Sequence, residues 1–238
     1  MSTVYLIPAQ LDEEGFNALP AYILDAIKDC QVFFVENERT TRRYFKQLWK
    51  EMIIDNYEWF NMQEEEKAAT DFLQKIKENK NIGIVSEAGC PGVADPGQKL
   101  IGIAQEKDVT IKPLVGPSSI LLALMSSGLN GQRFSFHGYL PIDNQKRNQA
   151  IKELELSSSK EDSTQIFIET PYRNNQLLEA IGKNCSPNTL LCIAKNLTGP
   201  KEFIKTKPVK DWKNHPPELH KEPVIFLMKA ETKAVKKI

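Results

Sequence analysis

Short apolar runs alternate with stretches of helical period along almost the whole chain, and this alternation limits the folds open to it. Val4–Ile7, Val32–Val35, Ile82–Val85 and Val109–Leu114 read as buried strands. Between them, Thr40–Trp49, Glu64–Glu78 and Gly97–Lys107 read as helices, the second with Ala68, Ala69, Phe72, Leu73 and Ile76 on one face. An earlier helix places Leu19, Tyr22, Ile23, Ala26, Ile27 and Cys30 at helical spacing, with Asn17 as its cap and Pro20 in its first turn. Strands joined through helices need crossover connections, so the sheet is mostly parallel and covered on both faces.

A second cycle follows. Pro117–Ser127 reads as an apolar helix, Arg133–Tyr139 as a strand, Lys146–Leu154 as a helix and Ser157–Thr164 as a polar loop. Then come a strand at Gln165–Glu169, a helix at Asn174–Ile181 and a strand at Leu190–Ala194. Glu202–Thr206 and Val224–Met228 read as late strands of a mixed sheet, and the Lys-rich stretch Lys229–Ile238 as a solvated tail. The Gly-Pro turn at Leu114-Val115-Gly116-Pro117 divides the chain into two α/β domains, 1–114 and 115–238.

Composition narrows the function classes. The 238 residues carry 31 basic and 31 acidic side chains, so net charge provides no global footprint for nucleic acid, although a local basic patch is compatible with it. No apolar run has the length of a membrane span, and the first residues lack the basic start and long apolar core of an export signal. Cys30, Cys90, Cys185 and Cys192 form no C-x-x-C pair and are expected to be reduced thiols in a cytoplasmic protein. His215 and His220 flank a proline-rich segment without the further ligands that a zinc site needs, so no metal is expected.

Two segments carry the chemistry. Val85-Ser86-Glu87-Ala88-Gly89-Cys90-Pro91-Gly92-Val93-Ala94-Asp95-Pro96-Gly97 follows a strand and precedes a helix, at the carboxyl edge where open α/β sheets bind ligands. Its glycines allow close backbone approach, and Glu87 and Asp95 add charge; a conformationally awkward loop without a ligand fits the same residues. It contains neither a P-loop nor a G-x-G-x-x-G fingerprint. Gly116-Pro117-Ser118-Ser119-Ile120 opens a helix whose free N–H groups and hydroxyls suit polar ligand atoms, or serve as an ordinary cap.

Taken in order, these segments resemble the tetrapyrrole methylase-like superfamily of methyltransferases that use S-adenosyl-L-methionine. The nearest branch is the ribosomal RNA small-subunit methyltransferase I type, which methylates a cytidine ribose 2′-hydroxyl. Its V-S-D-A-G-x-P-x-x-x-D-P-G segment is matched by Val85–Gly97, and its P-L-P-G-P-[CS] by Pro113–Ser118. Gly128-Leu129, Phe134 and Gly138-Tyr139-Leu140-Pro141 match a further run, followed by Lys146-Arg147. Val35–Thr41, Glu169–Arg173, and Leu197-Thr198 with Glu202 echo three more. The chain departs from the pattern in its first loop, Pro8–Gly15, and at Asn37, Glu87, Tyr172 and Asn196.

The resemblance implies two α/β domains with a cofactor cleft between them. By matched position it implies that Glu87, Ala88, Pro91, Ser118, Ser119, Ile120, Thr170, Leu197 and Thr198 contact S-adenosyl-L-methionine, together with the segment near Pro223. Glu36 and Glu169 are the candidate bases, or structural acids paired with Arg39 and Arg173. Arg39, Arg42, Arg43, Lys146 and Arg147 are the candidate phosphate contacts for ribosomal RNA or the small subunit, or plain helix-surface charges. A homodimer is implied as well, with the Leu121-Leu122-Leu124-Met125 helix supplying apolar surface. Two other readings of the same fold are methylation of a small molecule or protein, and a non-catalytic relative that binds the cofactor.

Overall fold

Five parallel strands organise the first half of the chain in the computed structural model, which describes residues 2–232. They are β1 (Thr3–Ile7), β2 (Val32–Val35), β3 (Glu58–Asn61), β4 (Ile82–Val85) and β5 (Thr110–Pro113), in the order β3-β2-β4-β1-β5. Every residue of β2 and β4 is buried, as expected of inner strands covered on both faces. Strand alternation divides β2 between two cores. Phe33 and Val35 pack with Ile23, Ile27 and Phe45 from helices α1 (Ile23–Asp29) and α2 (Glu38–Leu48). Val32 and Phe34 pack with Phe72 and Leu100 from α3 (Glu65–Lys77) and α4 (Gly97–Glu106).

This arrangement sends the loops of two neighbouring strands to opposite faces of the sheet. Strands β1 and β4 are neighbours, with Ile7 opposite Val85, yet β1 leads to a helix on one face and β4 to a helix on the other. Their outgoing loops therefore diverge at a topological switch point, the favoured ligand position of open α/β sheets.

The chain divides into two compact units, Met1–Ser118 and Ser119–Ile238. The second opens with α5 (Ser119–Ser127) and continues through β6 (Phe134–Tyr139), α6 (Asn144–Glu161), β7 (Thr164–Ile168) and α7 (Asn174–Asn184). It closes with β8 (Leu190–Lys195), β9 (Phe203–Pro208), α8 (Val209–Asn214) and β10 (Val224–Lys229). The sheet order is β6-β7-β10-β8-β9, parallel between β6 and β7 and antiparallel elsewhere. Its core holds Ile151, Leu177, Ile181, Leu191 and Trp212 around the stacked pair Phe167 and Phe226, whose centroids are 5.9 Å apart.

Several expectations need correction. Asn17 does not cap α1; it lies in a 3-10 turn, Gly15–Ala18, and α1 begins at Ile23. Leu19, forced out of helical geometry by Pro20, separates the two. Ser157–Glu161 is not loop but the last part of α6. Ser158 is fully buried there, its hydroxyl donating to Ser163 O at 2.7 Å and accepting from Ala230 N at 2.9 Å. Strand β3 and helix α8 were not anticipated. Of the expected tail, Lys229 ends β10 with its ammonium 2.7 Å from Asp162, and residues 233–238 lie outside the described residues. Among the described residues, no helix is long and apolar enough to cross a membrane.

Candidate functional site

In the first unit, the loops leaving β1, β2 and β4 meet at the carboxyl edge of the sheet. Ala9 and Gly89 form an isolated antiparallel bridge that pins the β1 and β4 loops together. Gly89 has φ +77, a conformation that glycine adopts without steric cost. Gly116 sits flat on Pro8, where an added Cβ would lie 2.2 Å from the proline Cβ. The Cys90 thiol donates to Gly116 O and Pro117 O at 3.6 and 3.5 Å, binding the acidic loop to the Gly-Pro turn. Burial, reinforced by Asp95, holds that thiol above its ordinary pKa and so protonated.

Three carboxylates share this edge. Glu36 Oε1 accepts the backbone N–H of Glu87 at 2.9 Å rather than pairing with Arg39. Glu87 is exposed and accepts from the Thr40 hydroxyl at 3.3 Å. Asp95 Oδ1 accepts from Gly92 N and Gly97 N at 2.7 and 2.9 Å, while its Oδ2 is buried without a partner. Burial raises the pKa of Glu36; the Glu87 N–H bond opposes the rise, and the charges of Asp95 and Glu87 add to it. None of these acids has a basic partner within ion-pair distance among the described residues. A cation would relieve their repulsion, and the sulfonium and ammonium groups of S-adenosyl-L-methionine fit that donor set. Ala88 is exposed and Pro91 buried in the same loop. Gln10, whose buried Oε1 also lacks a partner, joins this edge; the unfamiliar Pro8–Gly15 loop gave no sequence signal for it or for Ala9.

The departure at Asn37 has a structural account. Its side chain caps α2, accepting from Arg39 N and Thr40 N at 3.0 and 3.2 Å, work that asparagine and aspartate do equally well.

In the second unit, β7 and β8 flank β10, and their carboxyl ends gather beside Pro223. Asn196 N donates to Pro223 O at 3.1 Å, and its side chain donates to Glu222 Oε2 at 2.7 Å. Glu169 has a fully buried side chain, and its Oε1 accepts from Thr170 N at 2.7 Å and from Arg173 Nη2 at 2.6 Å. The structural pairing with Arg173 is therefore present. Glu169 Oε2, Asn174 Oδ1 and Thr198 Oγ1 are buried without partners, so polar capacity remains unused along this edge. Asn174 had no motif to mark it. Leu197 is buried, and Asn196 and Thr198 both take left-handed backbone. Tyr172 is exposed, edge-on to His220 at 5.9 Å between centroids. Ser119 and Ile120 begin α5, and Ser118 ends the first unit.

The basic candidates separate into distinct environments. Arg39 and Arg43 are exposed on α2. Arg42 is ion-paired with Glu38 and lies over the Trp59 ring at 5.1 Å. Lys146 is exposed at the start of α6, but Arg147 is not a surface charge; it is 6% exposed.

A parallel five-stranded sheet followed by a mixed five-stranded sheet is a fold that this chain shares with solved methyltransferases. The chain is similar to the methyltransferase CobJ, with TM-score 0.62 and 18% identity over 96% of this chain and 93% of that one. It is also similar to uroporphyrin-III C-methyltransferase from Thermus thermophilus complexed with S-adenyl homocysteine, with TM-score 0.57 and 14% identity over 95% and 97%. By sequence the chain is similar to proteins named ribosomal RNA small subunit methyltransferase I. The Micromonospora olivasterospora protein is 30% identical over 204 residues, 85% of this chain and 62% of the relative. The Escherichia coli O157:H7 protein is 36% identical over 146 residues, 61% and 49%. The chain thus spans about half to three-fifths of the length of these relatives. No protein-family model matches it. The resemblance read from the motifs, and the α/β fold class that it implied, are both borne out.

Proposed function

We propose that the chain is an S-adenosyl-L-methionine-dependent methyltransferase that acts on a ribose 2′-hydroxyl of small-subunit ribosomal RNA. The observation that carries the proposal is the acid-lined edge at the β1–β4 switch point, where three carboxylates lack a cation of their own. The names of the relatives and the ordered motifs supply the acceptor. We assign cofactor contacts to Glu87, Ala88, Pro91 and Ser118 in the first unit and to Ser119, Ile120, Thr170, Leu197 and Thr198 in the second. The protein is assigned to the cytoplasm, as a homodimer; the exposed Leu121 and Met125 of α5 supply apolar surface for the contact.

Bound adenosylmethionine supplies a methyl group on a sulfonium, already a good leaving group, so the chain contributes mainly position and charge. Glu36, Glu87 and Asp95 hold negative charge where a cation must lie. Glu36 is the better base of the two candidates. Burial raises its proton affinity, and its Oε2 takes the hydroxyl proton while Oε1 stays on Glu87 N. Glu169 is occupied by Arg173 and serves to position the Thr170 turn. Arg39, Arg43 and Lys146, all exposed, are assigned to RNA phosphates.

The test is transfer of a labelled methyl group from adenosylmethionine to free ribosomal subunits, total RNA and a protein fraction. Label in small-subunit RNA supports the proposal. Label confined to protein or small molecules refutes the acceptor, and no label in any pool refutes the activity.

A further inference from the structure

Helix α6 begins with a buried charge that the proposed reaction does not use. Arg147 is 6% exposed, its Nη2 donates to Asn144 Oδ1 at 2.6 Å, and its Nε is buried without a partner. No carboxylate among the described residues lies within ion-pair distance of it. A guanidinium removed from water without a counter-charge is costly, and proteins tolerate one where something else supplies the anion. The surroundings are built for such a group. Arg147 lines a cavity of about 380 Å³ with Asn144, Asn148, Gln176, Glu179 and Lys183. Glu179, the acid in that lining, is ion-paired with Lys183, and the pairing lowers its pKa, so it stays charged and already partnered. Asn148 Oδ1 accepts from Asn184. The cavity is therefore left with one net positive charge, amide donors and the N-terminal turn of an 18-residue helix. The Asp143 carboxylate caps that helix through Lys146 N at 2.9 Å.

We infer that this cavity is an oxyanion site that takes a phosphate group through Arg147. At about 380 Å³ it has room for a phosphate with an attached sugar. The assignment of that phosphate to the RNA backbone rests on the function proposed above; the oxyanion site itself does not.

The test uses the full chain and inorganic phosphate, titrated against chloride at matched ionic strength, with thermal unfolding and calorimetry as readouts. Two variants accompany the wild type. Arg147→Met removes the guanidinium, and Gln176→Glu leaves it in place but adds a carboxylate on the cavity wall. Phosphate is expected to raise the melting temperature of the wild type and to bind both variants about tenfold more weakly or worse. Should Arg147→Met fail to fold, Gln176→Glu alone decides. A wild type indifferent to phosphate, or a Gln176→Glu variant that binds it as tightly, overturns the site, whether or not RNA is methylated. Competition between small-subunit RNA and phosphate supports the RNA backbone as the source. Arg147-dependent phosphate binding that RNA does not displace overturns that source and leaves methyl transfer to be judged by its own assay.

Discussion

Ala9 and Gly89 exchange both of their backbone hydrogen bonds, Ala9 N donating to Gly89 O at 2.9 Å and Gly89 N to Ala9 O at 3.1 Å. The bridge joins the loops that leave two adjacent strands toward opposite faces of the sheet, so it holds the switch point in one geometry. Gly89→Ala places a side chain at φ +77, with its Cβ 3.4 Å from Leu11 Cδ2 and Pro117 O. Left-handed backbone costs an alanine about 1–2 kcal/mol. Urea unfolding should show a loss of that size, and calorimetry should show a larger loss of adenosylmethionine binding, because the bridge shapes the loop that carries Glu87.

Glu36 provides a pH signature. Its carboxyl holds its proton more tightly when folded than the ordinary value of 4.5. Such a group favours the fold fully at pH below the unfolded value, and that contribution is lost as pH rises through the folded one. Glu36→Gln removes the titration. Without ligand, the variant should match the wild type at low pH and gain on it as pH rises above the ordinary glutamate value. With ligand the order reverses. Adenosylmethionine, which carries the sulfonium charge, should lose more affinity than adenosylhomocysteine, which lacks it. Equal losses for the two ligands would remove the charge argument.

Glu169 and Arg173 form an ion pair in which the carboxylate is fully buried and the guanidinium partly buried. Arg173→Met leaves the Glu169 charge buried and should cost about 3 kcal/mol or more in denaturant unfolding. Glu169→Leu combined with Arg173→Met should recover much of that loss. If the double variant is as unstable as the sum of the singles, the pair is not coupled.

How much of this was legible beforehand depends on whether a residue's neighbours are close in sequence. The Val85–Gly97 loop was readable because its acids, glycines and prolines are consecutive and sit between a strand and a helix. Strand β3 was not, because Glu58 and Asn61 hide its pattern, and only pairing of Trp59 and Phe60 with Phe33 and Phe34 makes it a strand. The serines near the end of α6 read as loop, since nothing local reveals that Ser158 is satisfied by Ser163 and Ala230. Lys146 and Arg147 look alike in sequence, and only the packing of α6 on α7 separates an exposed charge from a buried one.

On the proposed reading, the exposed arginines of α2 set the salt dependence of RNA binding. Replacing Arg39 and Arg43 with alanine should weaken RNA binding and reduce the slope of log K against log salt by about 1 to 2, through counterion release. Cofactor affinity should be unchanged. Filter binding at several salt concentrations reads both quantities, and an unaltered slope would move the RNA contact away from α2.

The most direct measurement is nucleoside analysis of small-subunit RNA after incubation with the wild-type chain and adenosylmethionine. The account predicts one new 2′-O-methylated nucleoside, absent with Glu36→Gln or without cofactor. A methyl group found on a base, or no modified nucleoside in an RNA that the protein binds with cofactor present, would contradict it.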